Sequence, residues 1–417
     1  MTGGDAPRRG VGRRAFLGGV AALGAGAALD RVAGGREQIA SAQGAAPAAH
    51  GPIAFEGAHQ AGIATPSPKH AIFAAFDSIA PSRAELAAAL EALSDRARRL
   101  TRGYDALLGA PGEGPTPDSG IVGPRVAPDG LTVTIAFGAS LFDDRYGLAS
   151  RRPRHLKPMT TFPDDALVAE ECHGDLMLQL CANGEQTLLN ALRDLMRATR
   201  GALAGRWKIE GFLPQSRESG AQRNLLGFKD GTANPDIKNS VDMDRVAWVG
   251  GDAGEPEWAV GGTYQVVRII RNRVEFWDRV ARSEQELMIG RDKGTGAPLG
   301  KRNELDDPDY KTDPKGARIP MDAHIRLARP RTAETEGSRI LRRGFNYSRG
   351  LDMSGQLDMG LVFCCFQADV ERQFEAVQKR LAGEPLVDYV VPTGGGYFFA
   401  PPGARDSQDW VGSGLLA

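Results

Sequence analysis

Two segments of this 417-residue chain carry side chains that could do chemistry together. One is Gly227-Phe228-Lys229-Asp230-Gly231-Thr232-Ala233-Asn234-Pro235. The other runs from Asp322-Ala323-His324-Ile325-Arg326 through Arg329-Pro330-Arg331, with Arg342 eighteen residues beyond the histidine. An imidazole can hold a metal from one side. A carboxylate can take a proton and return it, and a fixed guanidinium can stabilise developing negative charge. These are the three groups that peroxide chemistry at a haem iron needs.

Taken singly, each has a plainer explanation. The chain has six histidines (His50, His59, His70, His155, His173 and His324), and a lone histidine is more often a surface or core residue than a ligand. His324 differs in its setting, because arginines on both sides of a haem ligand can neutralise the two propionates bidentately; the alternative is a solvated basic segment. Glycines flanking Asp230 let backbone approach a flat ligand, yet Asp-Gly followed by Asn-Pro is also ordinary turn chemistry. Arg342 alone would count as a surface arginine.

The elements that must position these groups follow from periodicity and caps. Apolar runs at His70–Phe76, Leu131–Phe137, Leu176–Leu180 and Trp207–Phe212 read as strands. Ser82, with Glu85 three residues on, opens a helix to Arg102 as a capping box, and Glu185–Arg200 has an apolar face of Leu188, Leu189, Leu192, Leu195 and Met196. The order strand-helix-strand, strand-helix-strand predicts a ferredoxin-like α+β unit with an antiparallel sheet. A second copy follows. Its strands are Gly262–Ile270, Leu361–Gln367 and Asp388–Phe399; its helices are Asn272–Arg282, Ser283–Gly290 (capped by Ser283, with Glu286 three on) and Val370–Leu381. Gly290–Asp322 and Arg329–Ser348 read as long polar loops, a length that usually marks function. The boundaries expected are 1–42, 43–215 and 216–417, with the N-terminal ferredoxin-like unit in the second and the ligand-binding one in the third.

The first 42 residues differ in kind. Arg8, Arg9, Arg13 and Arg14 precede an apolar run from Ala15 to Leu29, and Ala40-Ser41-Ala42 reads as a cleavage site. Gly12-Arg13-Arg14-Ala15-Phe16-Leu17 resembles the twin-arginine export signal, which would make the translocase a partner and place the mature protein in the periplasm, envelope or medium. A disordered basic tail or a membrane anchor is the alternative. Removing six Arg and three acidic residues takes the net charge from -1 to about -4, which gives no argument for nucleic acid or an anionic membrane as partner. The mature chain has no further apolar run long enough to span a bilayer, so it is expected to be soluble. Four cysteines remain. No C-x-x-C-H occurs, so no c-type haem attachment is expected. Cys364 and Cys365, adjacent on a strand, are expected as buried free thiols, and Cys172 could pair with Cys181 after export.

Together these residues resemble the dye-decolorizing (DyP-type) haem peroxidase family. Gly227–Gly231 matches its G-x-x-D-G signature, and the His324-to-Arg342 gap its spacing. Gly57-Ala58-His59-Gln60-Ala61-Gly62-Ile63, Gly261-Gly262-Thr263-Tyr264 to Arg268, and Pro392–Phe399 look like further landmarks, so the match spans roughly residues 52–404. With the export signal, the subgroup it resembles is the exported deferrochelatase/peroxidase of ferrous-iron uptake systems. The resemblance implies two ferredoxin-like subdomains and one non-covalent haem b in the C-terminal half. It implies His324 as axial iron ligand, Asp230 and Arg342 as the distal catalytic pair, Gly231, Thr232 and Ala233 lining the haem, and Arg329, Pro330 and Arg331 at its edge. Homo-oligomers are common in the family. A carboxylate should hydrogen-bond the outer N–H of His324, and Asp388 is the candidate. Trp258, Trp277, Tyr389 and Tyr397 could pass electrons to bulky dyes, or simply pack.

The expected function is peroxide reduction coupled to oxidation of dyes, phenols or porphyrinogens. The alternative is release of iron from haem with the porphyrin intact. A haem carrier would need His324 but no ionisable distal pair, and an iron-free lectin-like or scaffold protein would need neither.

Overall fold

The computed structural model describes residues 51–107, 116–214 and 220–417. The expected signal, His50 and the boundary between 215 and 216 lie outside the described residues. In the N-terminal half, strand β1 (His70–Ser78) leads to helix α1 (Arg83–Arg102), strands β2 (Thr132–Gly138) and β3 (Leu176–Ala182), helix α2 (Glu185–Ala198) and strand β4 (Leu203–Phe212). In the C-terminal half come β5 (Thr263–Asn272), α3 (Arg282–Ile289), α4 (His324–Ala328), β6 (Phe345–Leu351), β7 (Leu357–Gln367), α5 (Ala376–Leu381) and β8 (Val390–Ala400).

All eight strands pair antiparallel in the order β6-β4-β1-β3-β2-β8-β5-β7, and β7 returns to β6 to close a barrel. Each half contributes four neighbouring strands, its first and third at the centre, which is the ferredoxin-like order expected. The seams between halves are short: Asn346 opposite Phe212 on one side, and Phe398 and Phe399 opposite Gly138 and Phe137 on the other.

Strand alternation divides the core. Ala71, Phe73, Met177, Ile209, Val267, Phe345, Val362, Cys364 and Phe398 point into the barrel. Ile72, Ala74, Phe76, Leu178, Tyr264, Val266 and Cys365 point outward. Helix α1 seals the outer face of the N-terminal half with Leu86, Leu90, Leu93 and Leu100, all essentially inaccessible. At about 1.5–3 kcal/mol for each fully buried side chain of this size, that face is a major part of the fold's stability. Ser82 caps α1 as expected, its side chain accepting from the Glu85 amide while its hydroxyl donates to the Glu85 carboxylate. The C-terminal half is covered on that side only in part, by Val370 and Phe374. Its outer sheet face looks across an open cleft at α4, α5 and the Gly290–Asp322 loop.

Four expectations change. Strand β6 and the two-residue strand Leu341–Arg342 occupy part of Arg329–Ser348, where composition predicts a polar loop. Ser283 does not cap α3: the helix begins at Arg282 after Ala281, and Glu286 accepts from Arg282 Nε and the Lys293 amide instead. Val370–Leu381 is helical, but its first part, Glu371–Glu375, is a π-helical turn. All four cysteines are buried and unpaired, so Cys172 and Cys181 form no disulfide.

Candidate active site

The cleft lies on the outer face of the C-terminal half. Ile270, Leu361, Phe363 and Val390 form part of its sheet wall, and the open space within it, mouth included, is about 1930 Å³. His324 sits at the first position of α4, after Ala323 in an extended conformation. The helix is five residues long and too short to hold itself. Arg380 fixes its far end by donating to the Leu327 and Ala328 carbonyls.

The His324 imidazole gives Nδ1 to Glu384, whose two oxygens lie 2.9 and 3.0 Å away. Nε2 has no hydrogen-bond partner among the described residues, and His324 lines the cleft. Burial pulls the imidazole's pKa down; the Glu384 charge and hydrogen bond outweigh it, and the net direction is upward. The carboxylate expected at Asp388 is therefore Glu384. Asp388 lies in the 3₁₀ turn Pro385–Asp388, where its backbone carbonyl accepts from Arg273. Asp164 accepts from the Gly383 amide and steadies the turn that presents Glu384.

Asp230 and Arg342 come together although 112 residues apart, with Arg342 Nη1 donating to Asp230 Oδ1 at 2.7 Å. Asp230 Oδ2 has no partner among the described residues. Both side chains are little more than a quarter exposed, and both act electrostatically on His324. Gly231 has φ +101°, and a Cβ there would meet nothing closer than Asn234 Nδ2 at 3.7 Å, so the backbone after Asp230 leaves room for a flat ligand.

Two supports of this pair were missed in the sequence. The side chain of Asn234 donates from Nδ2 to the Arg342 carbonyl at 2.7 Å and accepts the Arg342 amide on Oδ1 at 3.0 Å. The turn that carries the carboxylate thus grips the strand that carries the guanidinium. Glu304, from the long loop, accepts from Lys229 Nζ (2.7 Å), Thr232 Oγ1 (2.9 Å) and the Ala221 amide (3.0 Å), bracing the segment from behind. Burial would raise its pKa, but the Lys229 bond and the other donors leave it lowered. Neither contact has a local sequence signal beyond the residue types, because both join segments far apart in the chain.

Gly231, Thr232, Ala233, Arg329 and Arg331 line the cleft; Pro330 does not. Arg331 adopts a left-handed φ of +61° and pairs with Asp307 at 3.0 Å. Arg329 pairs loosely with Glu336 at 3.5 Å. Of the aromatic candidates, Trp277 packs edge-on against Phe228 in the cleft wall and against Tyr389, and Tyr397 packs against Phe374 of the same cleft. Trp258 packs with Phe137, Phe142 and Phe399, away from it. His59 stacks on Trp248 at 3.7 Å, so it is a packing residue.

The donor set suits a haem: one free imidazole nitrogen, apolar walls, arginines at the rim and a carboxylate–guanidinium pair in the same cleft. Comparison with known proteins agrees. Residues 60–213 match the Dyp-type peroxidase N-terminal model and residues 221–405 the Dyp-type peroxidase C-terminal model. Proteins named Deferrochelatase from Escherichia coli O157:H7 and Shigella sonnei (strain Ss046) are each 53% identical over 371 residues, covering 87% of this chain and 86% of theirs. The crystal structure of a DyP-type peroxidase from Cellulomonas bogoriensis superposes with TM-score 0.79 at 35% identity, over 89% of this chain and 99% of that one. Ferric DtpA from Streptomyces lividans does so with TM-score 0.79 at 36% identity, over 89% and 100%.

Proposed function

Because the chain belongs to the Dyp-type peroxidase family, we propose that it is a haem-b enzyme that releases iron from haem with the porphyrin intact and also supports peroxide-dependent oxidation. The observation that carries the haem reading is the His324–Glu384 imidazole sharing one cleft with the Asp230–Arg342 pair. The relatives named Deferrochelatase favour iron release, the second of the two expectations, over dye or phenol oxidation as the principal activity.

When bound, haem supplies the iron at which peroxide is split and is itself the iron-bearing substrate of the release reaction. His324 would hold it through Nε2. Glu384 keeps the proton on Nδ1, fixes the ring's orientation and makes Nε2 a stronger donor. Arg329 and Arg331 would meet the propionates. Asp230 exchanges protons through Oδ2, the oxygen that Arg342 leaves free. Arg342 orients that carboxylate through its Nη1 hydrogen bond and stabilises negative charge that develops beside it. Iron release consumes protons, since the pyrrole nitrogens that lose the metal must be reprotonated, and Asp230 can deliver them. Hydrogen peroxide and a small reductant are then the soluble partners.

The protein would reach its place of action by twin-arginine export, folded and loaded, and serve a ferrous-iron uptake system. The Arg13-Arg14 pair within the expected signal supports that reading. Replacing both with Lys should leave the protein in the cytoplasm; unchanged export would remove it.

Product analysis tests the activity. Loaded protein with a reductant should yield metal-free protoporphyrin and ferrous iron in equal amounts, and with peroxide it should bleach a dye. Dye bleaching without free protoporphyrin would leave the peroxidase reading alone. Neither product would refute both.

A further inference from the structure

The cations of the cleft have counter-ions with one exception among the described residues. Lys229 pairs with Glu304, Arg268 with Asp165, Arg329 with Glu336, Arg331 with Asp307, Arg339 with Asp242 and Arg342 with Asp230. Arg291 lines the same cleft, is only 6% exposed, and has no carboxylate within ion-pair distance among the described residues. Its Nη1 donates to the carbonyls of Gly296 (2.6 Å) and Glu304 (3.0 Å), which fastens the long loop. A guanidinium has five N–H donors. The two on Nη1 are used, so the Nε and Nη2 edge, the fork that matches a carboxylate bidentately, is without a partner among the described residues. Leaving a desolvated charge unpaired is costly, and a ligand anion would relieve that cost.

Tyr310 lies beside it in the same loop. It lines the cleft, its hydroxyl has no hydrogen-bond partner among the described residues, and the Arg326 guanidinium covers its ring at 4.6 Å. Burial pushes the phenol up to about 12, so near neutral pH the group is a donor.

We infer that Arg291 and Tyr310 form a carboxylate-binding subsite at the cleft, distinct from the Arg329–Arg331 segment. The inference rests on the haem reading of the cleft. The carboxylate comes either from the porphyrin's own side chain or from an anionic reductant.

The test compares the wild type with Arg291→Leu, Arg291→Lys and Tyr310→Phe. The last removes one oxygen and leaves the Arg291 loop contacts in place. Haem affinity is measured from the rate of haem loss to an acceptor globin, using haem and its dimethyl ester. KM is measured for ferulate, which carries a carboxylate, and for guaiacol, which does not. If the porphyrin supplies the carboxylate, Arg291→Leu weakens haem retention by about tenfold or more and Tyr310→Phe by less, and both lose much of the wild-type preference for haem over the ester. If the reductant supplies it, haem retention is unchanged and KM rises by about tenfold for ferulate only. Arg291→Lys keeps the charge without the fork and should fall between. Wild-type retention, ester preference and ferulate KM in a folded Tyr310→Phe and Arg291→Lys pair would overturn the subsite. A wild-type chain with no Soret band would instead overturn the haem reading, and the subsite with it.

Discussion

Asn234→Ala tests whether the distal pair is held by the amide that bridges its two segments. The substitution removes two neutral hydrogen bonds, 2.7 and 3.0 Å long, to the backbone of Arg342. At about 1 kcal/mol net for each, the loss is about 2 kcal/mol of stability, a fall in Tm of a few degrees for a chain of this size. The kinetic effect should be larger in proportion. Arg342 and Asp230 contact each other through one guanidinium nitrogen and one oxygen, so a displacement of about 1 Å breaks the geometry and can cost about 10²-fold in rate. Stopped-flow mixing of loaded enzyme with peroxide, followed at the Soret band, reads this step, and thermal unfolding reads the other. Asn234→Asp is the control. It keeps the acceptor for the Arg342 amide, loses the donor to the carbonyl, and should be intermediate in both. An alanine variant with wild-type Tm and a wild-type peroxide rate would show that Asn234 positions nothing.

Glu384→Gln should weaken iron ligation by about 10- to 100-fold and move the haem potential upward, as the neutral amide withdraws charge from the imidazole; an unchanged potential would assign Nδ1 another partner. With four buried free thiols, a thiol reagent should react with none in the folded protein and with all four after unfolding, and reductant should leave Tm unchanged; two reactive thiols instead of four in the denatured, unreduced protein would indicate a disulfide. Asp242 is held below the usual carboxylate range, first by its hydrogen bonds to Arg339. A depressed folded-state pKa gives stability that is present above the unfolded value, near 3.9, and is lost as pH falls through the folded one. Asp242→Asn should therefore lower Tm at pH 7 and narrow the gap to wild type in strong acid; a gap that persists at low pH would rule out this linkage.

The sequence was legible where the signal is local. Ser82 with Glu85, the buried runs that became β1, β2, β3 and β5, and the apolar face of Glu185–Ala198 each follow from residues a few positions apart. Strand β6 was not legible because Ser348–Leu351 is exposed and polar or glycine-bearing, so only Phe345, Asn346 and Tyr347 are buried. Ser283 looked like a cap, but α3 had already begun, and Glu286 is drawn to Arg282 and Lys293. At the site, motif and spacing point to His324, Asp230 and Arg342 but not to their supports. Asn234 reaches across 108 residues and Glu304 across 75. Glu384 and Asp388 lie four positions apart in one turn, and only the backbone path decides which faces the imidazole.

The central claim, that the imidazole of His324 holds a haem iron, is tested most directly by the absorption spectrum of protein purified from haem-sufficient cells, in wild type and His324→Ala. The wild type should show a Soret band that shifts on adding peroxide. The variant should show a weakened or displaced band and a loss of haem on gel filtration. A colourless wild type, or a variant with an identical spectrum and peroxide response, would contradict it.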